Sequence, residues 1–394
     1  MKILYFSFVD ISLPKGPSVN EREFVLSLSK ILKDKVDFII PKPKSTIEDA
    51  LPRNISFIRS AKRHQIPQWI LQQREMVKTV KSLLNKNEYD LMIIRCDIFD
   101  FAIRAITKST TVPYALKTAG SGQFNIFKEK NALIRLLYPI NQRIFNKIVQ
   151  NALAVDVVST IQKQSLEEIT GVENKVHFID NGVNTDRFVI KDKLKIRDKL
   201  GLAHFDQIIG YVGGSPWERG GLQIIEALPE LLKTYPKMAG VIVGGGSKMD
   251  ILYNKAKELK VEDHIIFAGL RPFEEMNDYI NSFDIGISQL YKHSQGASEQ
   301  KVRQYLSCGK PILVSPGAVN NFVEQEKLGF IVQDPYNIKE FVEKVELLFQ
   351  LKNNEKLKSA DLIRKYAIEN LSVDSKVKQR IDLYKNSFSK KSIK

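Results

Sequence analysis

Two residues one helical turn apart, Lys301 and Gln304, carry the most chemistry in this chain. They lie in Ser298-Glu299-Gln300-Lys301-Val302-Arg303-Gln304-Tyr305-Leu306-Ser307-Cys308-Gly309-Lys310-Pro311-Ile312-Leu313-Val314, which reads as a cap, a helix, a glycine stop and a buried strand. Ser298 is placed as an N-cap, its hydroxyl satisfying a free amide in the first turn. Gly309 stands where a helix ends in a left-handed residue, and Pro311 keeps the helix from resuming. Lys301 and Gln304 share a face near the positive end of that helix. A cation beside free helix amides suits a phosphate. The helix, glycine, proline, strand order is common in α/β proteins, so a function has to rest on other loops as well.

Several loops offer the same chemistry. In Ile208-Ile209-Gly210-Tyr211-Val212-Gly213-Gly214-Ser215-Pro216-Trp217-Glu218-Arg219-Gly220-Gly221 a strand runs into glycines, and a helix begins around Gly220. Arg219 lies at that helix start, where a bidentate guanidinium fits a diphosphate. The glycine spacing is not that of the dinucleotide fingerprint. Val243-Gly244-Gly245-Gly246-Ser247 repeats the pattern, and Phe267-Ala268-Gly269-Leu270-Arg271-Pro272 can pass backbone groups across a nucleobase edge. Near the start, Gly16 permits close approach of a donor phosphate or sugar, and Ser18 with Glu21 has capping-box spacing. Plain strand-to-helix turns would use the same glycines, and that reading stays open. His64, His177, His204, His264 and His293 form no pair with each other or with cysteine at metal-site spacing. No structural zinc, nucleophile elbow or P-loop is expected.

The elements that must position these loops alternate from end to end. Apolar runs at Lys2–Phe6, Val36–Ile40, Ile55–Ile58, Leu91–Ile94, Tyr114–Leu116, Val155–Val158 and Val176–Ile179 predict one series of strands. Ile208–Val212, Gly240–Val243, Ile265–Phe267, Ile285–Ser288, Ile312–Val314 and Gly329–Val332 predict a second. Continuous apolar strands separated by helices argue for parallel sheets covered on both faces. The fold class is therefore α/β, with two Rossmann-like doubly wound domains and a cleft between them as the expected active site. The expected division is residues 1–185, residues 186–370, and a C-terminal helix with a basic tail over 371–394, packing back on the first domain. The join is expected in the polar stretch Asn184–Leu202, and the tail from Lys390 is expected to fray.

Bulk composition narrows the class. The chain has 394 residues, 43% hydrophobic and 27% charged, as in a soluble globular protein of about two domains. Cys96 and Cys308 sit in or beside apolar elements and read as small buried hydrophobes without a disulfide. The first apolar run is too short for a signal peptide, Asp10 interrupts it, and no run approaches a membrane span. A cytoplasmic protein, or one peripheral to the inner face of a membrane, is expected. The net charge of +15 concentrates between residues 101 and 150, where Glu129 is the only acid. There Lys128, Lys130, Arg135, Arg143 and Lys147 accompany an apolar stripe running from Phe124 to Val149. Such a segment either faces a core or lies on an anionic membrane surface.

Taken together these residues resemble the retaining glycosyltransferases of family 4, whose fold is GT-B. The resemblance spans nearly the whole chain: the glycine loop after the first strand, Ala154-Val155-Asp156-Val157-Val158-Ser159-Thr160, Asn181-Gly182-Val183-Asn184 with Phe188, Val212-Gly213 to Arg219-Gly220, Phe267-Ala268-Gly269, Asp284-Ile285 and the opening helix. It implies a UDP- or GDP-sugar donor held mostly by the second domain. Arg219 and Lys301 would be the cations that stabilise charge on the leaving diphosphate, with no metal or other cofactor required. Gly16, Gly213, Gly214, Ser215, Gly245, Gly269, Leu270, Arg271, Ser298 and Gln304 would contact the donor, and Lys117 and Thr118 would lie on the acceptor side. Two positions depart from the family: Gly296 and Gln304 stand where it has a glutamate pair, so a ribose hydroxyl would meet an uncharged amide. The family's histidine after the central strand of the first domain is replaced by Lys117-Thr118-Ala119-Gly120. The implied activity is sugar transfer to a glycan or lipid-linked acceptor in cell-surface polysaccharide synthesis. A nucleotide-sugar epimerase and a non-catalytic binding or partner subunit are the alternatives. Nucleic-acid binding is not expected, since no aromatic basic sheet or helix-turn-helix pattern stands out.

Overall fold

The structure is a computed structural model, and it describes residues 1–13, 16–47, 49–62, 65–96, 101–118, 132–290, 300–317, 322–351 and 357–392. The chain forms two compact units, Met1–Asn181 with Lys376–Lys394, and Gly182–Ser375.

The first unit holds the strands β1 (Ile3–Ser7), β2 (Val36–Pro41), β3 (Ile55–Ile58), β4 (Leu91–Cys96), β5 (Tyr114–Thr118), β6 (Val155–Val157) and β7 (Val176–Phe178). They make one parallel sheet in the order β3-β2-β1-β4-β5-β6-β7. Its helices are α1 (Gly16–Leu32), α2 (Ile66–Lys86), α3 (Ala102–Lys108), α4 (Ala132–Asn151) and α5 (Thr160–Thr170). The apolar runs bury because helices cover the sheet: Leu4, Phe6, Met92, Ile94 and Leu116 are all inaccessible to solvent.

The second unit holds β8 (Gln207–Val212), β9 (Met238–Val243), β10 (Ile265–Gly269), β11 (Ile285–Ser288), β12 (Ile312–Val314) and β13 (Gly329–Ile331), in the order β10-β9-β8-β11-β12-β13 and again all parallel. Around it lie α6 (Lys193–Lys199), α7 (Gly221–Thr234), α8 (Met249–Glu258), α9 (Met276–Ser282), α10 (Gln300–Ser307), α11 (Phe322–Gln325), α12 (Ile338–Gln350) and α13 (Ala360–Tyr366). Two apolar clusters fill the two faces of this sheet, one around Phe283 and Tyr305 and one around Tyr211 and Ile242. All thirteen expected strands form, with ends shifted by two residues or fewer.

The polar stretch Asn184–Leu202 belongs wholly to the second unit. Its charges are anchors: Lys191 Nζ lies 2.6 Å from Asp278, while Lys193 Nζ and Arg197 Nη2 lie 2.9 and 2.7 Å from Asp284. Helix α14 (Val373–Ser392) returns to the first unit from Lys376 onward, and its helical hydrogen bonding continues through Lys390 to Ser392. Buried Arg380 donates to Asp156 at 2.8 Å, Tyr384 also donates to Asp156, and Lys376 sits 3.0 Å from Asp180. The apolar stripe of α4 divides. Phe145, Ile148 and Val149 enter the core, whereas Leu136, Leu137 and Ile140 are exposed.

One local expectation is corrected. Helix α1 begins at Gly16, so Ser18 is inside the helix and is not its cap. Glu21 is almost fully buried and turns to the sheet instead of the helix start.

Candidate functional site

In the second unit the sheet order reverses between β8 and β11, and ligands of open α/β sheets bind outside the carboxyl ends at such a point. The loops leaving β8, β9 and β10 are stitched together there by backbone alone. Gly213 N donates to Val243 O at 2.9 Å, Ser215 N to Gly245 O at 3.2 Å, and Gly244 N to Gly269 O at 2.8 Å. Gly213 and Gly244 have φ of 133° and 130°, a region side chains avoid, and a Cβ on Gly244 would collide with the Gly213 carbonyl. The result is a shallow floor of peptide groups. Leu270 stands at its edge, 84% exposed, beside Gly245, and Arg271 is held by its Nε donating to Ala268 O at 2.8 Å.

Lys301 packs against that floor, and Arg219 belongs to the loop that leaves β8. Lys301, in the first turn of α10, is 8% exposed and its ammonium lies 5.0 Å from the centroid of the Tyr211 ring. A Cβ on Gly213 would come within 3.2 Å of Lys301 Cε, so the lysine stem packs directly on the glycine loop. Tyr211 is itself fixed, its hydroxyl donating to Gly214 O at 2.6 Å. Gln304 is buried one turn further along the same helix. Arg219 closes a short 3-10 turn, Pro216–Glu218, and is partly exposed with no ion-pair partner among the described residues. Gly220 caps α7 as expected, and Gly309 ends α10 in the left-handed region at φ 67°. Ser298 and Gly296 lie outside the described residues.

Gln289 was missed by the sequence reading. It follows β11, is 0% exposed, and its backbone nitrogen donates to Arg219 O at 3.2 Å. Among the described residues neither its side-chain oxygen nor its side-chain nitrogen has a hydrogen-bond partner. A buried primary amide left unsatisfied is costly, and such groups in native proteins call for a reason. A glutamine directly after an apolar strand, where the strand's inward face continues, was the available signal.

Residues 192–369 match the family described as glycosyl transferases group 1. The match is a similarity to that family, confined to the second unit. The GDP-mannose-dependent α-(1-6)-phosphatidylinositol monomannoside mannosyltransferase of Mycolicibacterium smegmatis is 26% identical over 203 residues, which are 50% of this chain and 53% of that protein. The chain thus spans about half the length of that relative. Among solved structures, HepE of Anabaena in complex with UDP superposes with a TM-score of 0.72 at 17% identity, covering 98% of this chain and 100% of the other. A glycosyltransferase from Rickettsia africae superposes equally well, at 0.72 and 21% identity, covering 98% of both chains. These likenesses establish the GT-B glycosyltransferase fold.

Two acids of the family resemblance turn out to hold scaffold. Besides Lys193 and Arg197, Asp284 accepts from Ile208 N at 2.8 Å, at the amino end of β11 and away from the glycine loops. Asp156 pins α14, as described above.

The carboxyl edge of the first unit differs from that of the second. Ser7, Arg95, Lys117 and Asp156 pair in register across β1, β4, β5 and β6, forming one polar row. Glu21 of α1 reaches this row, accepting from Lys117 Nζ at 2.8 Å, from Arg95 Nε at 3.3 Å and from the Tyr5 hydroxyl. Burial alone would raise the Glu21 carboxyl, but Lys117 and Arg95 outweigh it and bring it down to about 2. Burial lowers Lys117 to about 8, with Arg95 and Arg380 adding repulsion that Glu21 only partly offsets. The Lys117 ammonium also lies 4.5 Å from the Phe24 ring centroid. Lys117 and Thr118 are both buried, and Gly16 is exposed at the start of α1. Ala119 and Gly120 lie outside the described residues. A polar residue at the same phase of adjacent apolar strands is the sequence signal for this row.

Proposed function

We propose that the chain is a retaining glycosyltransferase that moves a sugar from a nucleoside diphosphate to a glycan or lipid-linked acceptor. One observation carries this reading: Lys301 packs on the Gly213 loop of the second unit, and Arg219 closes that same loop. The peptide floor accommodates the donor without side chains in the way. Arg219 and Lys301 take up negative charge as the sugar–phosphate bond breaks, which lowers the barrier without a metal. Gly269, Leu270 and Arg271 line the base, and Gln304 meets a ribose hydroxyl through its amide oxygen. The Gln289 amide, buried beside Arg219, supplies a further hydrogen bond at the donor end. An acceptor carrying a lipid anchor accords with the mannosyltransferase relative, whose named acceptor is a phosphatidylinositol mannoside. The exposed basic and apolar face of α4 accords with work at an anionic membrane surface.

A screen of UDP- and GDP-sugars with membrane extract tests the reading. Hydrolysis or transfer from one donor is expected, and Arg219→Ala or Lys301→Ala should each lower kcat by about 10²–10³-fold. Full activity in either variant contradicts the assigned roles. The presence of Gln304 in place of an acid favours one competing reading, a donor-binding subunit without catalysis. Donor binding with no turnover, even after Gln304→Glu, would select it.

A further inference from the structure

The first unit contains a cavity of about 380 Å³ between α3 and α4, of the size that takes a small ligand. Its walls carry Arg104 and Lys108 from α3 and Arg143 and Lys147 from α4, with Ile140 and Ile144 between them. Tyr114, the first residue of β5, also lines it, so the cavity sits at the amino ends of the strands. Substrates of such sheets bind at the carboxyl ends. The cavity is therefore separate from the substrate edge of this sheet.

Charge in this cavity is arranged against itself. Arg104 with Lys108, and Arg143 with Lys147, are like-charged pairs one helical turn apart, a spacing that destabilises a helix. Among the described residues none of the four has an acidic partner. A fold that lines one hollow with two repelling pairs is relieved by a bound anion. The apolar part completes the chemistry. Leu136, Ile140 and Ile144 follow at successive turns of α4, and Leu136 and Ile140 are 74% and 56% exposed. A free phosphate or a nucleic acid would leave that stripe in water, whereas an amphiphile covers it.

We propose that this hollow binds the headgroup of an anionic phospholipid from a bilayer. The phosphate lies between the two cation pairs, and an acyl chain or the membrane interior takes the Leu136–Ile140 stripe. The proposal deepens the membrane-facing part of the function proposed above by giving it a discrete site. Lys128 and Lys130, outside the described residues, are not needed for it.

Flotation of the full chain with vesicles of phosphatidylcholine, with and without phosphatidylglycerol, reads the site directly. Wild type should float only with the anionic vesicles. Replacing Arg104, Lys108, Arg143 and Lys147 together by Gln should lower that binding by more than tenfold, since each basic residue at such a surface contributes about fivefold. Replacing Lys195, Lys233, Lys257 and Lys365 by Gln removes equal charge elsewhere and should change it little. Leu136→Ser with Ile140→Ser should also weaken flotation without altering charge. Equal losses from both fourfold variants would mean diffuse attraction and overturn the proposal. Tighter binding of a single-stranded oligonucleotide, indifferent to Leu136→Ser with Ile140→Ser, would overturn it too. The groove variant should keep its melting temperature or raise it, and should keep hydrolysing a soluble nucleotide-sugar. If wild type floats but hydrolyses no donor, the lipid site stands and the transferase reading falls.

Discussion

Two parallel sheets reverse their strand order beside their first strand, yet their carboxyl edges are furnished in opposite ways. In the first unit the edge is filled by side chains: Glu21 from α1 holds Arg95 and Lys117, and Asp156 holds Arg380. In the second unit the edge is lined by peptide groups of Gly213, Gly244, Gly245 and Gly269, with Lys301 and Arg219 at its margin. One arrangement neutralises its cations internally and gains a fixed structure. The other leaves a floor of backbone groups, which under the proposed function receives a ligand that brings its own negative charge. The same topology thus carries two different kinds of edge, one of side chains and one of backbone.

The sharpest way to break the comparison is Glu21→Gln. Removing one member of a buried ion cluster leaves its partners uncompensated, and about 3–5 kcal/mol of stability should be lost. Urea unfolding followed by circular dichroism measures it, and a loss below about 1 kcal/mol would show that the network is not structural. Gly213→Ala should act oppositely, sparing most of the stability while lowering donor affinity through its strained φ and the displaced Lys301 stem. Isothermal titration with the active donor distinguishes that from plain unfolding.

Dependence on pH sharpens the contrast. Glu21 titrates at about 2 in the folded chain against an ordinary 4.5, so the unfolded chain binds more protons between those values. Its stabilisation is complete above about 4.5 and lost as pH falls towards 2. Lys117 is lowered from 10.5 to about 8, so the unfolded chain again binds more protons, and stability from this group rises between 8 and 10.5. Urea midpoints measured across pH should show both limbs, and Glu21→Gln should abolish the acid one. The smallest effect belongs to Gln289→Leu. Removing two unsatisfied buried groups should raise ligand-free stability by about 1–3 kcal/mol while weakening donor binding. A destabilised variant would mean that the amide is already satisfied.

The strands were legible because each is a buried apolar run flanked by turn residues. Gly309 and Gly220 were legible because a left-handed helix end and a helix start after glycines have local signatures. Glu21 was not. Its spacing from Ser18 fits a capping box, but its partners lie 74 and 96 residues away in sequence and only the sheet register brings them in. Gln289 was hidden for the same reason, because its burial depends on the loop that carries Arg219. The charged stretch before Leu202 looked like a linker because ion pairs to Asp278 and Asp284 cannot be read from one side of the pair. The cavity between α3 and α4 required two helices to be placed side by side. Its basic residues on both helices were visible as composition between residues 101 and 150, and their pairing across one hollow was not.

Under the proposed function, the glycine-lined edge of the second unit holds a donor diphosphate through Lys301 and Arg219. Titration calorimetry of UDP and GDP into wild type and into Lys301→Ala tests it most directly. One nucleotide should bind wild type, and Lys301→Ala should weaken it at least tenfold, by about 1.5–3 kcal/mol for a charge-assisted contact. Equal affinity in both proteins, with the fold intact by circular dichroism, would contradict it.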